Sequence, residues 1–93
     1  MMDRKECLST AADIVCKDRE NTYGKPEDNF ATIAKLWSDY LNTIIMPDDV
    51  PVMMILLKVA RVGSGNFKAD NFVDIAGYAA CACEIGSSKE EQK

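Results

Sequence analysis

Two cationic side chains, those of Lys58 and Arg61, stand three residues apart in an otherwise apolar stretch of the chain. Residues three apart share one face of a helix, so both cations can point to the same place. A second polar group, formed by Asp70, Asn71 and Asp74, follows after a short polar loop. Lysine and arginine bind phosphate, while carboxylates orient these cations or accept hydrogen bonds from a sugar or a base edge. The two groups predict either a polar ligand pocket or an ion-pair network between two helices.

A further candidate lies in a polar loop that contains glycine and proline, where Tyr23 and Gly24 follow each other. A tyrosine ring can stack on a nucleobase, and a glycine lets a ligand approach the backbone closely. Arg19 adds a cation beside this loop, and Tyr78 stands one helical turn beyond the last carboxylate of the second group. The competing interpretation is a plain turn whose tyrosine plugs the end of a bundle.

Catalytic groups are sparse in this chain. It contains no histidine, which excludes histidine general bases, Ser-His-Asp triads and the commonest zinc ligand. The four cysteines form no C-x-x-C pair, so we interpret them as small, buried apolar residues in a reducing compartment rather than as a zinc site. We therefore predict no catalytic residue, no metal ligand and no cofactor, with magnesium required only if the chain is a hydrolase.

The composition predicts one globular domain over residues 1–93, with 47% apolar and 28% charged residues. The longest apolar runs, 52–57 and 78–83, are far shorter than the roughly 20 residues that cross a bilayer. We expect no membrane partner and a cytoplasmic location, in the host cytoplasm if the protein is encoded by a phage. A net charge of −4 argues against duplex nucleic acid as a partner but not against a small phosphorylated ligand.

The spacing of apolar residues predicts four helices and no strand. Asp3 and Glu6 have the spacing of a capping box at the first helix, and Pro26 suits the first position of the second. Asp70 is a favourable N-cap for the fourth helix, and Gly86 a favourable stop. The predicted helices cover residues 3–19, 26–41, 48–62 and 70–85, with a frayed polar tail at 87–93.

These elements predict an all-α fold, a compact bundle of four helices with antiparallel neighbours. The third helix is apolar on all sides over residues 52–57, so we expect it to be the most buried. Because four short helices supply a thin core, we also predict a homo-oligomer of at least two copies. The predicted core consists of Phe30, Ile33, Trp37, Met54, Leu57, Ile75 and Ala79.

Many of these residues belong to a spaced pattern that resembles a known family over residues 15–85. The family is a small helical domain of unknown function found in phage and prophage genomes. It is in turn distantly similar to the MazG-type nucleotide pyrophosphohydrolases, which hold magnesium with an E-x-x-E pair and a later E-x-x-D pair. The pattern comprises Tyr23-Gly24-Lys25-Pro26-Glu27-Asp28-Asn29-Phe30, then Ile33, Ala34, Trp37, Asp49, Val50, Met53, Met54, Lys58 and Arg61, and finally Asp74-Ile75-Ala76-Gly77-Tyr78-Ala79.

The resemblance implies a function that involves nucleotides. Residues 71–74 fall where the later magnesium pair would stand, but Asn71 replaces the glutamate, and no E-x-x-E pair stands on an earlier core helix. We therefore expect first a non-catalytic nucleotide binder, of the kind with which phages sequester nucleotide signals of bacterial immunity. The alternatives are a divergent nucleotide pyrophosphohydrolase and a structural or protein-interaction module. The predicted ligand-binding residues are Arg19, Tyr23, Gly24, Lys58, Arg61, Asp70, Asn71, Asp74 and Tyr78.

Overall fold

A computed structural model of the chain describes residues 1–18 and 24–91. This part of the chain folds into four helices and contains no strand, which confirms the all-α class predicted from the sequence. The first helix passes directly into a π-helical turn, Ile14–Asp18. The helices are α1 (Arg4–Asp13), α2 (Pro26–Leu41), α3 (Asp49–Val62) and α4 (Ala69–Glu91).

The start of α1 has the cap that its sequence predicts. The backbone N–H of Glu6 donates to Oδ1 of Asp3 at 2.8 Å, which satisfies one of the free donors of the first turn. The helix was expected to remain regular through residue 19, but it changes to the wider π form at Ile14. A π-helical turn accommodates one extra residue and is found mainly as a single turn within an α-helix.

Helix α2 has the predicted bounds. Pro26 occupies its first position, and Glu27 and Asp28 lie in the first turn, where the helix dipole favours negative charge. The helix ends at Asn42, which adopts the left-handed conformation with φ of 53°. Ser38 then receives a hydrogen bond from the backbone N–H of Ile45 at 2.8 Å, which fixes the connector that leads to α3.

Helix α3 begins after Asp48, but the side chain of this residue does not cap it. Oδ1 of Asp48 instead accepts a hydrogen bond from Nζ of Lys89 at 2.9 Å. The neighbouring Asp49 ties the connector, because its Oδ2 accepts from the backbone N–H of Met46 at 2.8 Å. Pro51 is buried at the third helical position, where no intrahelical donor is lost, as expected.

Helix α4 is longer than the sequence predicts. It runs through Gly86 to Glu91, so the predicted stop at this glycine and the predicted frayed tail at 87–91 were wrong. Among the described glycines only Gly24 has a positive φ, whereas a glycine stop requires that conformation. Asp70 lies within the first turn of α4 rather than before it, so its predicted role as N-cap was also wrong.

Helices α3 and α4 are antiparallel neighbours joined by two ion pairs. Lys58 pairs with Asp74 at 2.9 Å, and Lys89 pairs with Asp48 at the same distance. Each pair joins a later residue of one helix to an earlier residue of the other, as antiparallel packing requires. Helix α1 packs against α4, and α2 packs against α3, so the α3–α4 pair lies between the other two helices.

The core lies between α2, α3 and α4. Its buried members are Phe30, Ala34, Val50, Cys81 and Ile85, and Ile33, Trp37 and Met54 pack against them. The positions predicted for Phe30, Ile33, Trp37 and Met54 are confirmed.

Two members of the predicted core were placed wrongly. Leu57 and Ala79 are exposed, and Ile75 is half-buried. Leu57 lies to the side of the α3 face that Met54 and Lys58 turn inward, because it is rotated by about 60° from Met54 and about 100° from Lys58 around the helix axis. Ala79 lies on the side of α4 opposite its buried face, which passes through Val73, Gly77 and Cys81.

Helix α3 was expected to be the most buried element, and this was also wrong. Val50 and Pro51 are buried at its start, but Leu57 and Val62 are exposed to solvent, and so are three apolar residues on one side of the helix. These are Val52, Leu56 and Val59, which we call the outer stripe because they lie on the side opposite Met54 and Lys58. No helix within residues 1–18 and 24–91 is both long and apolar enough to cross a membrane.

Candidate functional site

A narrow cleft lies between the π-helical turn, the start of α2 and the middle of α4. Its cavity volume is about 40 Å³. A cavity needs roughly 10–15 Å³ of this space to hold one water molecule, so the cleft has room for about three. The described residues that line it are Ala11, Ile14, Val15, Gly24, Pro26, Asn29, Phe30, Val73, Asp74, Gly77, Tyr78 and Cys81.

Helical spacing explains how α4 and α2 bring their residues to the cleft. On α4, Asp74 and Tyr78 stand four residues apart and therefore share one face. On α2, Pro26, Asn29 and Phe30 follow the i, i+3, i+4 spacing of a single face. The two faces meet where the rings of Phe30 and Tyr78 approach, with centroids 6.5 Å apart and planes inclined by 36°.

The third wall of the cleft depends on a close approach between the π-helical turn and α4. A Cβ atom placed on Gly77 would lie 3.0 Å from Cγ1 of Val15, which is tighter than almost all real contacts. Because Gly77 has no side chain, the π-helical turn can pack closely against α4 at this point. Ile14 also lines the cleft, so the first two residues of the π-helical turn both contribute to it.

The charge in the cleft belongs to Asp74, which is bonded to Lys58 from α3. Nζ of Lys58 lies 2.9 Å from Oδ2 of Asp74, and the two side chains are 14% and 33% exposed. An ion pair between partly buried side chains is screened much less by salt than an exposed pair. The pair holds the carboxylate at the cleft and compensates the charge of both partners.

Glu27, in the first turn of α2, has a further unusual carboxylate. Its Oε2 atom is buried and has no hydrogen-bond partner among the described residues. Buried polar atoms without partners are rare, and each one calls for a physical explanation. Glu27 was not among the ligand-binding residues predicted from the sequence.

Four of the residues predicted to bind a ligand are brought together. Gly24, Asp74 and Tyr78 line the cleft, and Lys58 is bonded to Asp74. These four residues, which were selected from their spacing in the sequence, therefore lie close together in the structure. Of the two alternatives that the sequence left open, the structure shows one ion pair between the helices, and its carboxylate also faces the cleft. Ligand binding stays a prediction.

The remaining predicted residues lie elsewhere. Arg61 and Asp70 are exposed and do not line the cleft, and Asn71 is half-buried and does not line it either. Among the described residues, Arg61 forms no ion pair. Arg19 and Tyr23 lie outside the described residues.

Asn29 was missed as a candidate from the sequence. It lines the cleft beside Phe30 and is a polar residue on the apolar stripe of α2, between Pro26 and Ile33. A polar side chain at an inward position is itself a signal of a polar function, because burying an amide without a partner is unfavourable. Applied to α2, this rule identifies Asn29.

Within the described part of the chain, no group of three or more histidine, cysteine, aspartate or glutamate side chains is arranged to hold a metal ion. None of the four cysteines, which all lie in the described part of the chain, forms a disulfide. Cys81 is buried in the core, as expected of a small apolar residue, and Cys7 is half-buried. Cys16 and Cys83 are exposed, so the interpretation of the cysteines as core residues was wrong for these two.

Fold and cleft together define a small all-α protein with a mixed aromatic and polar cleft between three helices. Residues 6–86 match the family described as a domain of unknown function, DUF6378, and the chain belongs to that family. Its relatives include the Gene 55 protein of Mycobacterium phage L5, which is 45% identical over 86 residues, or 91% of this chain and 55% of the relative. The Gene 55 protein of Mycobacterium phage D29 is 43% identical over 78 residues, or 84% of this chain and 52% of the relative.

The chain thus spans about half the length of the phage proteins it matches. No solved structure matches it. The expected relation to a phage family of small helical domains is confirmed by these relatives. None of their descriptions names a ligand, a reaction or a partner.

Proposed function

We propose that this protein binds a small nucleotide without converting it, and that the edge of the base enters the cleft. The observation that supports this proposal is the combination of groups at one place. Two aromatic rings, the amide of Asn29 and the carboxylate of Asp74 lie around a single apolar cleft. The rings are those of Phe30 and Tyr78.

These groups match the chemistry of a nucleobase. Aromatic rings offer apolar faces for stacking, which is favourable for any planar base. The amide of Asn29 provides both a donor and an acceptor, whereas the ionised carboxylate of Asp74 only accepts hydrogen bonds. A base edge with an N–H next to a carbonyl or ring nitrogen satisfies both side chains.

Lys58 supports this role through Asp74. Because it takes one carboxylate oxygen, the other remains for a ligand and the carboxylate is fixed in direction. A fixed acceptor loses little conformational freedom on binding, which favours affinity. On this proposal Lys58 positions Asp74 and does not contact phosphate, in contrast to the role first expected for it.

The size of the cleft limits how a nucleotide can bind. Sites for small organic ligands have volumes of about 300–1,000 Å³, much more than the 40 Å³ of this cleft. On our proposal the cleft widens on binding and the sugar and phosphates stay at its mouth. Lys25 is exposed and stands in the sequence between the lining residues Gly24 and Pro26, so on our proposal it is the cation nearest to these phosphates.

Calorimetric titration with nucleosides and their mono-, di- and cyclic phosphates tests this proposal. Asn29→Ala should weaken binding by about 10-fold or more, because a hydrogen bond to a buried polar group is worth roughly 1–3 kcal/mol. Asn71→Ala is the matched control and should bind like the wild type, since Asn71 does not line the cleft. If no nucleotide binds the wild type, or if both variants bind equally, the proposal is wrong.

Sequestration of a signal and hydrolysis of a nucleotide are distinguished by what happens to the ligand. A phage protein that sequesters an immune signal must release it intact when the protein is denatured. Mass spectrometry of the released ligand, after incubation with magnesium and with a chelator, should give the unchanged nucleotide in both cases. A product that forms only with magnesium would favour the MazG-like alternative, for which Asn71 and Asp74 are the candidate pair.

A protein-interaction function is supported by a different observation. Apolar side chains are exposed along α3 and also on α2, where Leu36 and Tyr40 face solvent. Exposed apolar surface of this extent is typical of sites at which proteins associate. This function does not exclude nucleotide binding, because the outer stripe and the cleft consist of different residues.

A further inference from the structure

The surface of this chain is larger than a stable monomer of its size exposes. The accessible area is 6792 Å². A folded monomer of 10.3 kDa exposes about 5,400 Å², so roughly 1,400 Å² is in excess. The radius of gyration is also larger than expected, because it is 14.1 Å whereas a compact domain of this length has about 12 Å.

The outer stripe is the best-defined apolar part of this excess surface. Val52, Leu56 and Val59 follow the i, i+4, i+7 spacing with which helices pack against each other in coiled coils. No charged residue stands between Asp49 and Lys58, and Lys58 points to the opposite side of α3, toward Asp74. The stripe therefore offers a continuous apolar ridge with no charge to solvate.

We propose that the outer stripe is covered by the same stripe of a second copy of this chain. The excess of about 1,400 Å² lies within the roughly 1,000–2,500 Å² that each subunit hides in an obligate homodimer. Two copies that each carry a net charge of −4 repel each other, so they can meet closely only where charge is absent. The stripe meets that condition, and a two-fold symmetric contact needs only one surface that complements itself.

The symmetry also fixes which residues meet. Leu56 lies at the middle of the stripe, so a two-fold axis through the stripe brings the two copies of Leu56 together, whether the paired helices run parallel or antiparallel. Leu36 and Tyr40 on α2 are further apolar residues that are exposed to solvent. This proposal is independent of the nucleotide-binding proposal and involves none of the residues that line the cleft.

Light scattering coupled to gel filtration at micromolar concentration tests the dimer. The wild type should have twice the monomer mass of 10.3 kDa, and Leu56→Glu should have the monomer mass, because two carboxylates at the axis would repel in an apolar contact. Leu8→Glu is the matched control, since Leu8 on α1 is 64% exposed and Leu56 is 63% exposed. This control should remain dimeric.

Cross-linking gives a second test that does not disturb the contact. The exposed and half-buried cysteines are first removed by Cys7→Ser, Cys16→Ser and Cys83→Ser. In this background Leu56→Cys should form a disulfide-linked dimer under mild oxidation, while Leu8→Cys should not. A wild type of monomer mass would overturn the proposal. A dimeric Leu56→Glu, or a dimer that Leu8→Glu dissociates, would likewise show that the stripe is not the interface.

Discussion

The two faces of α3 differ in a way that hydropathy alone does not explain. The inner face carries a lysine whose side chain is 14% exposed, whereas a leucine on the outer face, two residues earlier, is 63% exposed. Lys58 is largely covered because Asp74 on α4 pairs with its charge, and Leu56 is exposed because no described helix of the same chain reaches it. Burial in this protein therefore follows the position of the neighbouring helix, and the apolar run alone does not determine it.

The largest expected effect compares the same substitution on the two faces. Val50→Ala should destabilise the fold by about 2–3 kcal/mol, because Val50 is fully buried and the change removes two methyl groups and leaves a cavity. Val59→Ala should change the free energy of unfolding by less than about 0.5 kcal/mol in the isolated chain, as surface substitutions usually do. Urea unfolding measures both values, at a protein concentration low enough for the proposed dimer to be dissociated. Equal losses would show that the two faces do not differ in burial.

A second comparison concerns the two cations of α3. Lys58→Met keeps the length of the side chain but leaves Asp74 without its partner, which should cost about 1–3 kcal/mol. Arg61→Met should be nearly neutral, since Arg61 is exposed and forms no ion pair among the described residues. Thermal unfolding of the two variants and the wild type measures both losses of stability. A larger loss for Arg61→Met would show that Arg61, and not Lys58, makes the more stabilising contact on α3.

These contrasts show how far sequence alone leads. The four helices, the cap at Asp3, the first residue of α2 and the pairing of Lys58 with an acid on α4 follow from local spacing and charge. The spacing does not tell which of two carboxylates four residues apart the cation meets, because Asp70 and Asp74 share a face. That choice depends on where α3 crosses α4, which is a tertiary property.

The exposure of the outer stripe and the position at which α4 ends could not be predicted from the sequence, for related reasons. A fully apolar run such as 52–57 has no polar side, so its exposed face cannot be identified until the neighbouring helix is placed. Gly86 has the residue type of a helix stop, yet Lys89 one turn later is bonded to Asp48, so tertiary contact extends the helix beyond it.

Gly86→Ala tests this account of α4 through the sign of its effect. A glycine inside a helix should gain about 0.5–1 kcal/mol of stability on replacement by alanine, and no atom outside the local helix lies within 4 Å of the new Cβ. A glycine that stops a helix in the left-handed conformation would lose stability instead. The melting temperature of the variant decides between the two. A decrease would mean that the helix ends at residue 86 after all.

The smallest effect concerns the ion pair that joins the start of α3 to the end of α4. The hydrogen bond from Lys89 lowers the pKa of Asp48 below its ordinary value of 3.8. A carboxyl group with a lowered pKa stabilises the fold above that ordinary value, and this stabilisation is lost as the pH falls through the lowered pKa. Both side chains are more than a third exposed, so Lys89→Gln should cost less than about 1 kcal/mol at neutral pH.

The prediction is tested by measuring how the difference in unfolding free energy between wild type and Lys89→Gln depends on pH and salt. The gap in unfolding free energy between wild type and Lys89→Gln should close as the pH falls well below 3.8, where Asp48 is protonated in both proteins. It should also shrink at high ionic strength. Lys35→Gln is the control, because Lys35 and Asp39 pair at 3.7 Å on the exposed surface of one helix and should contribute little at any pH. If the Lys89→Gln gap is the same at acidic and neutral pH, the pair with Asp48 does not hold the two helix ends together.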